Sequence, residues 1–237
     1  MTQKEIPCLF MRGGTSRGPY FLKSNLPLDL AQRNRVLLAA MGSPDIRQID
    51  GLGGADTLTS KVAIISPSER AGVDVDYLFA QVNIDRPIVD TTPSCGNMLA
   101  GVGPAAIEYG LIEAEDEQTR VMIFNENTSS RTEAVIETAN GKVRYDGTAS
   151  IDGVPGTAAP ILLNFMDIVG SASGQFFPTK NLIDHIDGIE VSCVDVAMPM
   201  IHMRATDFGI TGHELRDELD AKTGHLISLI EPIRRKA

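Results

Sequence analysis

Short apolar runs separated by turn-forming residues recur along most of the chain. Ile6 to Met11, Lys61 to Ser66, Val73 to Ile84, Val121 to Phe124, Thr132 to Thr138, Lys142 to Tyr145, Pro160 to Phe165 and Glu190 to Val196 are rich in Val, Ile, Leu or Phe. Gly, Pro, Asn or Asp bound them, which predicts β-strands. Asn140-Gly141 between two of these runs predicts a tight hairpin, since both residues tolerate the positive φ such a turn needs. Helical signals are fewer. Leu30 to Met41 carries Leu30, Val36, Leu37, Leu38 and Met41 and stops at Gly42, and a further helix is predicted near His213 to Leu219.

Gly96 to Tyr109 differs from all of these. Met98, Leu99, Ala100, Val102, Ala105, Ala106 and Ile107 surround it with apolar side chains, and its first charge is Glu108, so it predicts a helix buried on every side. Gly101, Gly103 and Pro104 inside it weaken an exposed helix but let strands approach closely. The expected fold is therefore α+β, a mixed, curled sheet around a central helix over residues 96–109. The Gly170 to Gly188 run has loop composition and predicts a boundary between a first domain, residues 1–185, and a second part, residues 186–237.

Composition narrows the partners. The 237 residues are 43% hydrophobic with 22 Gly and 13 Pro, a globular profile that excludes disordered and collagen-like classes. Lys+Arg 21 against Asp+Glu 31 gives a net charge of -10, so neither nucleic acid nor an anionic membrane is an expected partner. An acidic ligand must meet a local basic pocket. No apolar run approaches the ~18 residues of a membrane span, and Met1 to Arg17 lacks the basic start and long core of a signal peptide, so a cytoplasmic location is expected. Cys8, Cys95 and Cys193 are odd in number and far apart, which suits reduced thiols.

Three clusters carry candidate chemistry. In Met11-Arg12-Gly13-Gly14-Thr15-Ser16-Arg17-Gly18 a strand runs into a glycine-rich turn with two hydroxyls and two guanidiniums, suited to a carboxylate or phosphate, or equally a plain turn with solvated arginines. Gly51 to Lys61 leads through glycines and hydroxyls to a lysine at the mouth of an apolar strand. There Lys61 is a base, a fixed cation for a carboxylate, or a side chain that snorkels to the surface. Thr91 to Asn97 places the Cys95 thiol at the first turn of the buried helix, where free amides and the helix dipole favour a thiolate and an anionic ligand; the alternative is a small packing residue. Other motifs fail. Gly101-Val102-Gly103-Pro104-Ala105-Ala106 fits a dinucleotide pattern but lies inside the apolar helix rather than after a strand. His185, His202, His213 and His225 show no zinc-ligand spacing, so no metal is expected.

Six segments, MRGGTSRG, IDGLGGADTLTSKVAII, VDYLFAQV, TPSCGNMLAGVGPAAIE, IDGVPGTAAPI and CVDVAMPM, resemble in order the PrpF family of isomerases, part of the diaminopimelate epimerase superfamily. The resemblance implies two pseudo-symmetric domains, each a curled sheet around a central helix, with the active site in the cleft between the helix N-termini. It implies an isomerase or tautomerase that works without a cofactor, catalysing a 1,3-proton shift on a small unsaturated di- or tricarboxylate such as 4-oxalomesaconate or 2-methylaconitate. Cys95 stands where the superfamily keeps its first acid/base thiol, and Gly96 and Asn97 complete the C-G-N element. Lys61 matches the lysine of the T-S-K element, the second acid/base group, with Ser60 before it as a substrate-binding residue. Arg12, Gly13, Gly14, Thr15, Ser16 and Arg17 match the R-G-G-T-S-K/R substrate-binding element, Arg17 standing where Lys is common.

The family continues well beyond the point where this chain stops, and Glu190 to Ala237 matches only the opening of the second domain, so the resemblance implies a C-terminally truncated chain. Two expectations follow. Either the chain is an isomerase for a small acidic substrate, or it is a non-catalytic remnant that folds and self-associates, as a homodimer, through uncovered apolar surface.

Overall fold

Period-two alternation sorts the side chains of the long strands onto two faces of one sheet, and each face meets a different helix. The structure is a computed structural model that describes residues 4–166, 168–170 and 172–237. It divides into two units, Met1–Met166 and Asp167–Ala237. Along the first run β1 (Leu9–Gly13), β2 (Ser16–Leu22), α1 (Leu30–Met41), β3 (Lys61–Pro67), β4 (Val75–Val82), β5 (Val89–Asp90), α2 (Gly96–Ala100), α3 (Val102–Glu108), β6 (Glu117–Asn125), β7 (Ser130–Ala139), β8 (Lys142–Val143) and β9 (Ile161–Met166).

Among the described residues these strands form one sheet in the order β1-β2-β3-β4-β6-β7-β8, with β5 on β4 and β9 on β7. The pairs β2–β3 and β4–β6 are parallel and the others antiparallel, so the sheet is mixed. On its inner face Tyr20, Ala63, Ile65, Tyr77, Phe79, Ile123, Ala134 and Ile136 cluster with Met98, Leu99, Val102 and Ala105. Strands β1 to β4, β6 and β7 all reach the one helical segment, so the sheet curls around it. On the outer face Phe21, Val62, Ile64, Ala80 and Val82 cover Leu37 and Met41 of α1. Each large buried side chain contributes roughly 1.5–3 kcal/mol, against at most ~1 kcal/mol for an exposed ion pair such as Lys23–Glu126. Packing holds the helix in place.

The central segment is two helices rather than the single one expected over 96–109, with the break at Gly101 (φ -84, ψ -7). Pro104 is the cause: it has no N–H for the Ala100 carbonyl and its ring crowds that oxygen. β2 replaces what the pattern suggested was turn. Pro19 disguised it, yet Pro19 pairs with Phe10 just before the parallel ladder with β3 opens at Tyr20–Ala63, so the missing donor falls outside that ladder. Asn140 and Gly141 form the expected hairpin with positive φ (53 and 73) between β7 and β8.

The second unit contains β10 (Asp184–Ile186), β11 (Ile189–Val196), β12 (Met198–Met203) and α4 (Arg216–Lys236). The Gly170 to Gly188 run lies within it. Buried Asp195 binds the beginning of that run: its carboxylate accepts Ala172 N at 2.9 Å and Ser173 N at 2.6 Å, and its carbonyl accepts Gly170 N at 2.8 Å. α4 extends far past the helix expected at His213 to Leu219, because Leu226, Ile230 and Ile233 fall on one face against Val191, Cys193 and Phe208. Among the described residues no helix is long and apolar enough to cross a membrane.

Candidate active site

Cys95 stands at the N-cap of α2 in an extended conformation (φ -140, ψ 103), and its side chain makes no capping hydrogen bond. Capping residues normally supply an oxygen to the first-turn amides; a thiol leaves Gly96, Asn97 and Met98 N–H without an intrahelical acceptor. The half-buried thiol thus shares the helix start with free donors. Two buried phenols frame it. Tyr77 Oη donates to the Cys95 carbonyl at 3.3 Å and Tyr20 Oη to the Met98 carbonyl at 2.8 Å. Burial pushes both phenols well up, and negative charge on Cys95 pushes them further.

The β1–β2 hairpin docks on the same turn. Its two-residue loop, Gly14-Thr15, has Gly14 in the left-handed region (φ 54), where a primed turn needs a glycine. Backbone approach is close: a Cβ on Gly14 would stand 2.9 Å from the Asn97 amide carbon, and one on Gly13 2.7 Å from Tyr20 Oη. Asn97 Nδ2 donates to Thr15 Oγ1 at 2.9 Å and to Ser16 Oγ at 3.4 Å. Sequence segments 82 residues apart therefore form one small polar surface beside the thiol.

The two arginines diverge from it. Register pairs Arg12 with Arg17, in the set that alternates with Leu9, Met11, Gly18 and Tyr20, the side that packs on the helix core. Arg17 stacks over Phe10 at 5.3 Å and lies against Gly54. Arg12 turns back to donate to the Gly14 carbonyl at 2.7 Å and lines a cavity of about 150 Å³ with Ala100, Ile151 and Ile161.

Lys61 opens β3 on the inner face, two residues before Ala63. Its ammonium lies 5.0 Å from the Phe79 ring centroid and donates to Gln81 Oε1 at 2.9 Å. Gly18 passes so close that a Cβ there would sit 2.9 Å from the Lys61 carbonyl carbon and 3.3 Å from Met98 Cε, which ties the start of β3 to the first turn of α2. Ser60 faces the other way and is fully buried, accepting from Gln48 Nε2 at 2.7 Å and donating to the Val82 carbonyl at 2.8 Å. Its O–H and one of its two lone pairs are used, which anchors the loop before Lys61. Among the described residues no carboxylate lies within ion-pair distance of Arg12, Arg17 or Lys61. No cluster of His, Cys, Asp or Glu among them is placed to hold a metal ion.

Sequence reasoning missed the amides that hold these groups. Asn127 bonds both backbone groups of Phe79 (N to Oδ1 2.8 Å, Nδ2 to O 3.0 Å) and donates to the Thr91 carbonyl at 2.7 Å. Asn125 donates to Ser94 Oγ at 2.6 Å and accepts Asn127 N at 3.0 Å. Together they clamp the loop that delivers Cys95. The only signal was the polar run Asn125 to Ser130 after an apolar strand, which reads as an ordinary turn.

The profile described as PrpF protein matches residues 3–237. The chain belongs to the PrpF family. Among PrpF relatives it is 56% identical to a (4E)-oxalomesaconate Delta-isomerase of Novosphingobium sp. (strain KA1), over 96% of this chain and 64% of the relative. It is 53% identical to a 4-oxalomesaconate tautomerase of Pseudomonas putida, over 99% of this chain and 64% of that protein. A crystal structure of a methylitaconate-delta-isomerase superposes with a TM-score of 0.82 at 47% identity, covering 98% of this chain and 60% of that one. The chain thus spans 60% to 64% of the length of these relatives, and it shares the mixed α+β fold of the methylitaconate-delta-isomerase structure.

Proposed function

We propose that this chain acts in a proton-shift isomerisation of a small unsaturated di- or tricarboxylate, of the kind named for its oxalomesaconate and methylitaconate relatives. The observation that supports this reading best is the half-buried thiol at an uncapped helix start, with a lysine on the same inner face and no carboxylate paired to it. In this reading Cys95 as thiolate removes a proton from carbon next to a carboxylate or keto group. The electron pair moves into conjugation, and the Lys61 ammonium returns a proton at the far end of the allylic system. Gly96 and Asn97 amides face the charge that develops on oxygen, while Thr15 and the Gly13–Gly14 backbone hold a carboxylate with buried Ser16 behind them; Arg12 and Arg17, which diverge from that surface, supply positive charge from its two sides. No cofactor is needed, because the proton leaves and returns through side chains alone.

The test is ultraviolet absorbance of the purified chain with 4-oxalomesaconate and with 2-methylaconitate, no cofactor added, beside Cys95→Ala and Lys61→Ala. Each substitution is expected to lower turnover by roughly 10²-fold or more, with circular dichroism unchanged. Turnover near that of the unmodified chain in either variant overturns the assignment of that residue. A folded chain without turnover on either substrate overturns the reading and favours the non-catalytic remnant.

A further inference from the structure

We infer that Gln81 is the positioning residue for Lys61: it fixes the ammonium with a neutral acceptor and occupies the place from which a carboxylate would neutralise it. The inference rests on Lys61 serving as the acid/base group proposed above. Lys61 and Gln81 stand directly opposite across the β3–β4 pair, and the ammonium donates to Oε1 at 2.9 Å. The orientation of the amide is forced. Its nitrogen donates to the Ser60 carbonyl at 2.9 Å and the Thr57 carbonyl at 3.2 Å, which uses both N–H groups and leaves only the oxygen for Lys61. A flipped amide would set its oxygen against two carbonyls.

The neighbours show why neutrality matters. Gln81 is paired on its other side with Asp90 of β5, so Lys61, Gln81 and Asp90 form one row across three strands. Gln81 fills the middle of the row, and the Asp90 carboxylate turns away to accept Thr92 N at 2.8 Å. The other titratable groups near this surface are the Tyr20 and Tyr77 phenols, the Cys95 thiol, which carries a charge only as the thiolate of the proposed reaction, Arg17 against Gly54, and Asp56, whose carboxylate accepts Leu58 N at 2.8 Å. The Phe79 ring beneath the ammonium supplies attraction without a formal charge. A carboxylate partner would hold the proton on Lys61 and cancel the charge that a substrate carboxylate needs; an amide oxygen orients the ammonium and does neither.

The experiment is a 13C-lysine NMR titration of the whole chain, with the Lys61 ε-carbon assigned by Lys61→Arg. Gln81→Glu keeps the size, adds the charge and turns one oxygen toward the Ser60 and Thr57 carbonyls, so in the folded variant the Lys61 titration midpoint should rise by about 1 pH unit or more. Gln81→Met removes the acceptor without adding charge and covers the case in which the Glu variant fails to fold. There the Lys61 ε-carbon should become as mobile as those of exposed Lys180 and Lys222. An unmoved midpoint in a folded Glu variant, or a Lys61 still fully ordered in the Met variant, overturns the inference. Turnover is read separately. If the unmodified chain is active, Gln81→Glu should lower kcat about 10-fold or more; if it is inactive while the midpoint still moves, the Gln81 contact stands and the catalytic reading of Lys61 falls.

Discussion

Asn127 does with a side chain what a neighbouring strand does with its backbone. β6 pairs with β4 as far as Tyr77, and β5 pairs with it again at Gln81; between them the Asn127 amide takes both Phe79 backbone groups. Its second N–H holds Thr91, so one residue joins the strand beneath Lys61 to the loop that leads to Cys95. Asn127→Ala leaves three backbone groups to find water and is expected to cost about 2–3 kcal/mol. Urea unfolding monitored by circular dichroism checks it, and an unchanged midpoint would show that the clamp is dispensable. Cys95 and Lys61 were readable as candidates from local patterns with their own chemistry, a thiol before an apolar helix and a lysine opening a strand, and Asn97 from the resemblance of its C-G-N element. Asn127 and Gln81 were not, because an amide declares nothing until its partners are known, and these lie 20 to 48 residues away.

Elements were readable where one physical signal acted alone. Leu30 to Met41 appears as α1 with Gly42 closing it in the left-handed region (φ 77), since spacing and stop residue agree. The buried character of the central segment was plain from its apolar residues, but its division at Gly101 follows from Pro104, and the break is packed against the ring of Tyr20. A Cβ on Gly101 would lie 2.6 Å from Tyr20 Cζ, and that ring is fully buried with its hydroxyl bonded to Met98. Gly101→Ala has a compatible φ, so any cost comes from overpacking and should be about 1–3 kcal/mol. Differential unfolding against Gly72→Ala, where no atom lies within 4 Å of the added carbon but φ is 71, separates crowding from backbone strain. Equal stability of Gly101→Ala and the unmodified chain would mean that the ring has room to move.

At the scale of the molecule, all four tyrosines share one electrostatic condition. Burial comes first in pushing up Tyr20, Tyr77, Tyr109 and Tyr145; Glu108 helps take Tyr145 to about 12 from an ordinary 10.0. A phenol raised in the folded chain contributes stability that is complete below its unfolded value and is lost as pH rises through the folded one. Half-exposed Tyr145 should therefore ionise first, toward about 12, and the 295 nm absorbance of Tyr20 and Tyr77 should appear only above that, together with loss of the fold. All four phenolates appearing near pH 10 in a chain that is still folded would contradict the burial of Tyr20 and Tyr77. With no Trp in the chain, the signal is free of indole interference. The docking of the β1–β2 turn onto Asn97 also has a kinetic meaning. The contacts Thr15–Asn97 and Tyr20–Met98 span 82 and 78 residues, so they must wait for a loop of that length to close. A sheet whose helix needs strands from both earlier and later sequence is a slow-folding arrangement, on the order of milliseconds to seconds. Nascent chains that end before β7 lack Ala134 and Ile136, which pack on the helical segment that carries the thiol, so protection of Cys95 against a small alkylating reagent should be among the last events of folding.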